Sequence, residues 1–186
     1  MRADNLCSLW VVDDSTNMVA HSTIPGTVVF VEVAWLDERE ARAWRGFQDL
    51  QRRLNTELAR QLADESDLSL PDYEVLVNVT EAPDGLRAHV LAELLGWHKT
   101  RLSHRIKAMV QDGLVAKEPC PRDRRGYFVV PTAKGREAIE KAAPGHVAAV
   151  RRLFVDLLTE HELDVLGEVT ERGLAALRVQ PDQGRP

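Results

Sequence analysis

Apolar residues recur at steps of three and four from Trp44 through Phe47, Leu50, Leu54, Leu58 and Leu62. That spacing lays one stripe along a helix and predicts a helix over roughly residues 37–63. Asp37 and Glu40 stand at the spacing of a capping box at its start. Glu65-Ser66-Asp67 interrupts the pattern. Ser69 then offers a cap for a second helix, with Pro71 in the first turn and Tyr73, Leu76, Val77 and Thr80 on one face. Ala82-Pro83-Asp84-Gly85 ends it.

A short helix follows over about 87–95, with Val90, Leu91, Leu94 and Leu95 inward and Gly96 at the position that needs a left-handed residue. A fourth helix, about 99–112, carries Leu102, Ile106, Met109 and Val110 on one side and stops at Gly113. Residues 114–118 and 127–130 read as short strands, and 119–126 as a charged hairpin loop between them. Thr132 caps a helix expected to reach about Leu158, kinked at Pro144-Gly145. Thr159 with Glu162 forms a second box, opening a last helix to about Arg178 that carries Leu163, Leu166, Val169, Leu174 and Leu177. Residues 179–186 read as a flexible tail. The apolar faces of the first and last helices exceed what the small domain between them can cover, which calls for self-association through both ends of the chain.

Residues 1–33 follow a different pattern. They are rich in Val, Thr and Ser, without helical period, and 27–33 reads as one β-branched strand that needs a partner.

With 186 residues, 44% of them hydrophobic and 28% charged, the chain has enough apolar content for a packed core with an extension. A formal net charge of −5 argues against coating nucleic acid or membrane over the whole surface. The charge is uneven, however: residues 99–125 hold eight basic residues against three acidic ones. A basic module in an acidic body is the electrostatic form of a local nucleic-acid contact. Two cysteines exclude a disulfide framework and fit a reducing cytoplasm. No apolar run approaches the ~18 residues a membrane span requires, so no membrane partner is expected.

On the fourth helix, Thr100, His104, Lys107 and Gln111 lie opposite the apolar side, flanked by Arg101 and Ser103. No carboxylate precedes Asp112. Such a face suits the DNA major groove, with its acceptor atoms and flanking phosphates. The preceding short helix and the Gly96 turn complete a helix-turn-helix. Candidate DNA contacts are therefore Lys99, Thr100, Arg101, Ser103, His104, Arg105 and Lys107 on the helix, with sequence choice assigned to Thr100, Arg101, Ser103 and His104. Arg122, Asp123, Arg124 and Arg125 of the hairpin suit the minor groove, with Asp123 aiming Arg125.

No metal-ligand spacing, phosphate loop or nucleophile elbow occurs, so no catalytic or metal site is nominated, no cofactor is expected and the chain is not read as an enzyme. Cys120 lies between two prolines near three arginines, open to reading as a redox-sensing thiol or as an incidental one. Trp44, Phe47 and Tyr73 are candidates to line a ligand pocket; aromatic residues at helical spacing serve equally as plain core.

The run from Leu91-Ala92-Glu93-Leu94-Leu95-Gly96 through Ser103, Gly113-Leu114-Val115, Asp123-Arg124-Arg125 and Pro131-Thr132-Ala133-Lys134-Gly135-Arg136 resembles the MarR family of bacterial transcriptional regulators. The resemblance covers about 36–178. It implies a mainly α protein with a small β wing: a winged helix-turn-helix of six helices, dimerising through helices from both ends of the chain. Residues 36–67 and 132–178 would supply the dimerisation helices and 68–131 the DNA-binding domain, with 1–33 an extension lacking a counterpart. The resemblance further implies a homodimer on a palindromic double-stranded DNA operator, acting as a repressor that responds to a small aromatic or anionic effector. Arg87 replaces the usual Thr or Ser cap, Pro131 the usual Leu, and Lys117 a common Arg. The rival reading is a winged-helix module whose basic face meets an acidic protein.

Overall fold

The computed structural model describes residues 12–13, 18–24, 27–32, 34–120 and 123–179, with side chains over 34–120 and 126–177. The chain divides into two compact units, 1–51 and 52–186, the boundary falling inside one long helix.

In the first unit, β1 (Val12–Asp13), β2 (Met18–Ile24) and β3 (Thr27–Glu32) form an antiparallel sheet in the order β1-β2-β3. The strand expected over 27–33 is therefore not solitary. β2 pairs with it from Met18↔Glu32 to Ile24↔Thr27, with a register shift between His21 and Ile24. β2 went unread because Ser, Thr and His interrupt its apolar run. The helix α1 (Glu38–Glu65) begins here. Its capping box is formed: Asp37 N donates to Glu40 Oε2 at 2.9 Å, and Glu40 N to Asp37 Oδ1 at 2.8 Å.

The second unit continues with α2 (Leu70–Glu81), β4 (Leu86–Arg87), α3 (Ala88–Leu95), α4 (Lys99–Gln111), β5 (Val115–Cys120), β6 (Asp123–Pro131), α5 (Ala133–Leu153) and α6 (Glu160–Val179). Its sheet is antiparallel in the order β4-β6-β5. Six helices and this small sheet make a winged helix-turn-helix. The core gathers Leu62, Leu76, Leu91, Ile106, Met109 and Val129, drawn from α1, α2, α3, α4 and β6 and each fully buried. Burying six such side chains contributes about 1.5–3 kcal/mol each, enough to hold the short elements together.

Two local devices set the frame. Gly85, with φ of 73°, lies so close to β6 that a Cβ would stand 2.7 Å from the Val129 carbonyl oxygen. Gly135 in the first turn of α5 leaves no room for a Cβ beside the Leu114 carbonyl. Thr132 ties the same junction: its hydroxyl donates to Gly113 O at 2.6 Å and accepts from Gly135 N at 3.0 Å.

Three expectations need correction. The hairpin is longer than 114–118 and 127–130, because β5 runs to Cys120 and β6 starts at Asp123. Pro119 is tolerated there because β5 is an edge strand, where a missing N–H costs no ladder bond on its open side. The two-residue strand β4 was not expected; it exists only through its pairing with Phe128 and Val129. The helix from Thr132 continues through Pro144 but ends at Leu153, since Phe154 at φ −142° leaves helical space and Val155–Leu157 forms a 3-10 turn.

Candidate nucleic-acid interface

The turn between α3 and α4 is built locally. Gly96 at φ 63° lets Trp97 N reach back to Ala92 O at 2.9 Å, closing α3. His98 then caps α4, its Nδ1 accepting from Thr100 N at 3.3 Å. The sequence reading missed this cap because histidine is not a favoured N-cap residue. Leu102, Ile106 and Met109 face the core, leaving Lys99, Thr100, Arg101, Ser103, His104 and Lys107 exposed on one helix without a carboxylate. The Arg101 guanidinium lies 4.2 Å above the Trp97 ring, so this arginine is held rather than free.

Arg105, expected among the DNA contacts, is engaged elsewhere. Its Nε donates to Asp72 Oδ1 at 2.6 Å and a terminal nitrogen to Ser69 Oγ at 2.7 Å; the same nitrogen closes an ion pair with Asp72 Oδ2. Asp72 is buried and also completes the capping box of α2 with Ser69. One carboxylate thus caps α2 and anchors α4, and Arg105 is a strut between the two helices.

In the wing, Asp123, Arg124 and Arg125 belong to strand β6 rather than to the loop where they were expected; Arg122 lies outside the described residues, as do the side chains of 123–125. The described wing adds Lys117, its ammonium 4.5 Å above the Tyr127 ring, and Arg87, 5.5 Å from the Phe128 ring centre. Between α3, α4 and β6 lies a cleft of about 350 Å³ lined by Arg87, His89, Lys99, Ser103 and Tyr127 among others. His89 and Tyr127 were not singled out in the sequence, and Arg87 only as a departure at the helix cap, since the three converge only through the β4–β6 pairing. Arg87 precedes α3 without a side-chain cap bond, in keeping with its departure from Thr or Ser. Cys120 is a half-buried free thiol at the end of β5.

The candidate ligand residues fall in both units. Trp44 and Phe47 stack on one another, ring centres 6.1 Å apart, and are exposed in the first unit. Tyr73 belongs to the second unit, where it packs on His146 at 4.2 Å and lines a cavity of about 360 Å³ with Asn55, Leu58, Glu74, Asn78 and His146. Burial pushes the Glu74 pKa up, partly opposed by Arg101, and pushes His146 down. His146 Nδ1 stands 3.3 Å from Gln61 Oε1. No group of three or more metal-ligating side chains occurs among the described residues. Nor is any helix among them long and apolar enough to cross a membrane.

Comparison with known proteins agrees with this geometry. A family model described as the MarR family matches residues 66–126. The transcriptional regulator HosA of Escherichia coli O111:H- is 30% identical over 100 residues, covering 54% of this chain and 73% of that protein. Among solved structures, AbsC, a MarR family transcriptional regulator from Streptomyces coelicolor, superposes with a TM-score of 0.76 at 40% identity, covering 80% of this chain and 100% of that one. Sco3205, a MarR family transcriptional regulator from the same organism solved in complex with DNA, gives 0.75 at 34% identity over 83% of this chain and 96% of that one. A winged helix-turn-helix with a carboxylate-free reading helix, matched at these identities over nearly whole relatives, places the chain in the MarR family of transcriptional regulators.

Proposed function

We propose that the protein is a homodimeric repressor that reads a palindromic operator with α4 in the major groove and the β5–β6 wing in the minor groove, and that a small effector releases it. The observation that carries this reading is the exposed face of α4: Lys99, Thr100, Arg101, Ser103, His104 and Lys107, without an acid, in a chain of net charge −5. That the related Sco3205 was solved with DNA supports it. The exposed apolar residues of α6 and of the start of α1 support the dimer. The cavity beside Tyr73 supports an effector; its lining includes Glu74 and no Lys or Arg, which favours a neutral aromatic compound over a free anion.

The test is electrophoretic and anisotropy binding to the DNA upstream of its own gene, across a salt series. Specific binding whose logarithm falls linearly with the logarithm of salt is expected. Equal affinity for upstream and random duplex would remove operator recognition, and no binding to either at low salt would leave only the protein-contact role.

A further inference from the structure

A protein that places a helix in the major groove and a hairpin in the adjacent minor groove must straddle the sugar–phosphate strand between those grooves. In this fold the space between the two elements is the cleft of about 350 Å³ bounded by the start of α3, one side of α4 and β6. Its lining is suited to a phosphodiester. Arg87, His89 and Lys99 bring cationic or hydrogen-bonding nitrogen, Ser103 and Tyr127 bring hydroxyls, and no carboxylate is among the lining residues. His89, Lys99 and Ser103 are exposed, and Tyr127 is half-buried. The floor is fixed: Leu102, which also lines the cleft, belongs to the buried core, and β4 pairs with β6 at Leu86↔Val129 and Arg87↔Phe128. Lys117 stacks over the Tyr127 ring from the neighbouring strand, which orients the phenol and adds positive potential beside it.

We propose that this cleft seats a backbone phosphate of the DNA, held by Lys99, His89 and the Tyr127 hydroxyl. The inference rests on the DNA-binding reading above and adds to it a seat that shares Lys99 with the outward face of α4 and joins it to α3 and β6. A phosphate contact of this kind carries no sequence information but sets register, because it ties the reading helix and the wing to one point on the strand. The Tyr127 ring packs against the core, and its hydroxyl serves as the register contact.

The experiment measures binding of the full chain to a generic duplex by fluorescence anisotropy at several salt concentrations. It compares wild type with Lys99→Ala, Tyr127→Phe and Lys107→Ala. Tyr127→Phe keeps the ring and its contact with Lys117, so the wing stays folded; circular dichroism and the unfolding midpoint confirm this for each variant. Lys99→Ala should reduce the salt slope by about one unit, as the loss of one phosphate contact requires. Tyr127→Phe should weaken binding about fivefold with little change of slope, as the loss of one neutral donor to an anion does. If Lys107→Ala lowers the slope while Lys99→Ala and Tyr127→Phe bind as wild type does, DNA binding stands and the phosphate seat is overturned. If wild type fails to bind duplex even at low salt, the DNA-binding reading itself fails and this site falls with it.

Discussion

The helices α4 and α6 are both amphipathic, and they end up in opposite situations. On α4 the apolar side is inside: Ile106 and Met109 are fully buried, and what faces outward is Lys, Arg, Thr, Ser and His. On α6 it is the apolar side that faces outward, with Leu174 54% and Leu177 70% exposed, and no residue of the helix described to Leu177 is buried. A helix that offers polar and cationic groups to water is finished as a protein element. A helix that offers leucine to water is unfinished, because a stripe of that length is costly to leave solvated. Under the proposed function the two helices meet different partners: α4 would meet DNA and α6 a second copy of the chain.

The largest expected effect comes from the unfinished helix. Leu174→Asp together with Leu177→Asp removes no contact that holds the single chain together, yet it should convert a species of twice 20.9 kDa into one of 20.9 kDa in sedimentation. Operator affinity should fall about a hundredfold with the loss of the second reading helix. A wild-type protein already sedimenting as a single chain would break the comparison at its root.

On the α4 side, Gly135→Ala places a methyl against the Leu114 carbonyl at the joint between the wing and α5. Destabilisation of about 3 kcal/mol in chemical denaturation is expected, with dimer mass unchanged below the transition. Asp72→Asn comes next. Charge alone says that removing an acid should tighten DNA binding. The strut through Arg105 says the reverse, since α4 loses its anchor to α2. The expected result is a loss of about 2 kcal/mol in stability and weaker operator binding; tighter binding would show that the anchor does not orient the reading helix.

The smallest effect is a pH dependence. Burial holds the His146 pKa below 6.5, so the ring is neutral in the fold at pH values where the unfolded chain has already taken up a proton. The stability this gives is complete above pH 6.5 and is lost as pH falls through the folded value. Glu74 runs the other way, its raised pKa disfavouring the fold as pH climbs through 4.5. The difference between wild type and His146→Gln isolates the histidine. Wild type should lose stability faster than the variant on acidification from pH 6.5, and parallel curves would remove His146 from the account.

The starts of helices were legible because their signals are short-range. Asp37 with Glu40, Ser69, Thr132 and Thr159 with Glu162 all make the bonds their spacing announces. So was the buried side of α4, which follows from period alone. What escaped depends on contacts between residues far apart in the chain. Arg105 looked like one more cation of the outer face because Asp72 stands 33 positions away. β4 carries no strand signal of its own. β5 and β6 were cut short because Pro119, Asp123 and Gly126 are turn residues by composition, and only the ladder between the strands overrides that preference. The contact of Tyr73 with His146 is likewise long-range, whereas Trp44 and Phe47 stack at helical spacing.

The joint after α4 has a consequence for how such a protein can change over evolutionary time. The last turn of α4 and the first turn of α5 share their capping groups: Lys134 Nζ donates to Asp112 O at 2.8 Å, the Thr132 hydroxyl bonds Gly113 O, and Gly135 admits no added atom against Leu114. Angle is thereby transmitted from α5 into α4 with little slack. Under the proposed function, substitution of Thr100 or His104 would alter which bases are met and leave that angle alone. A single inserted residue within α5 would instead turn everything beyond it by about 100° and advance it by about 1.5 Å. In the proposed homodimer the reading residues could be rewritten one at a time, whereas the number of residues in α5 would act as a fixed gear ratio between the two reading heads.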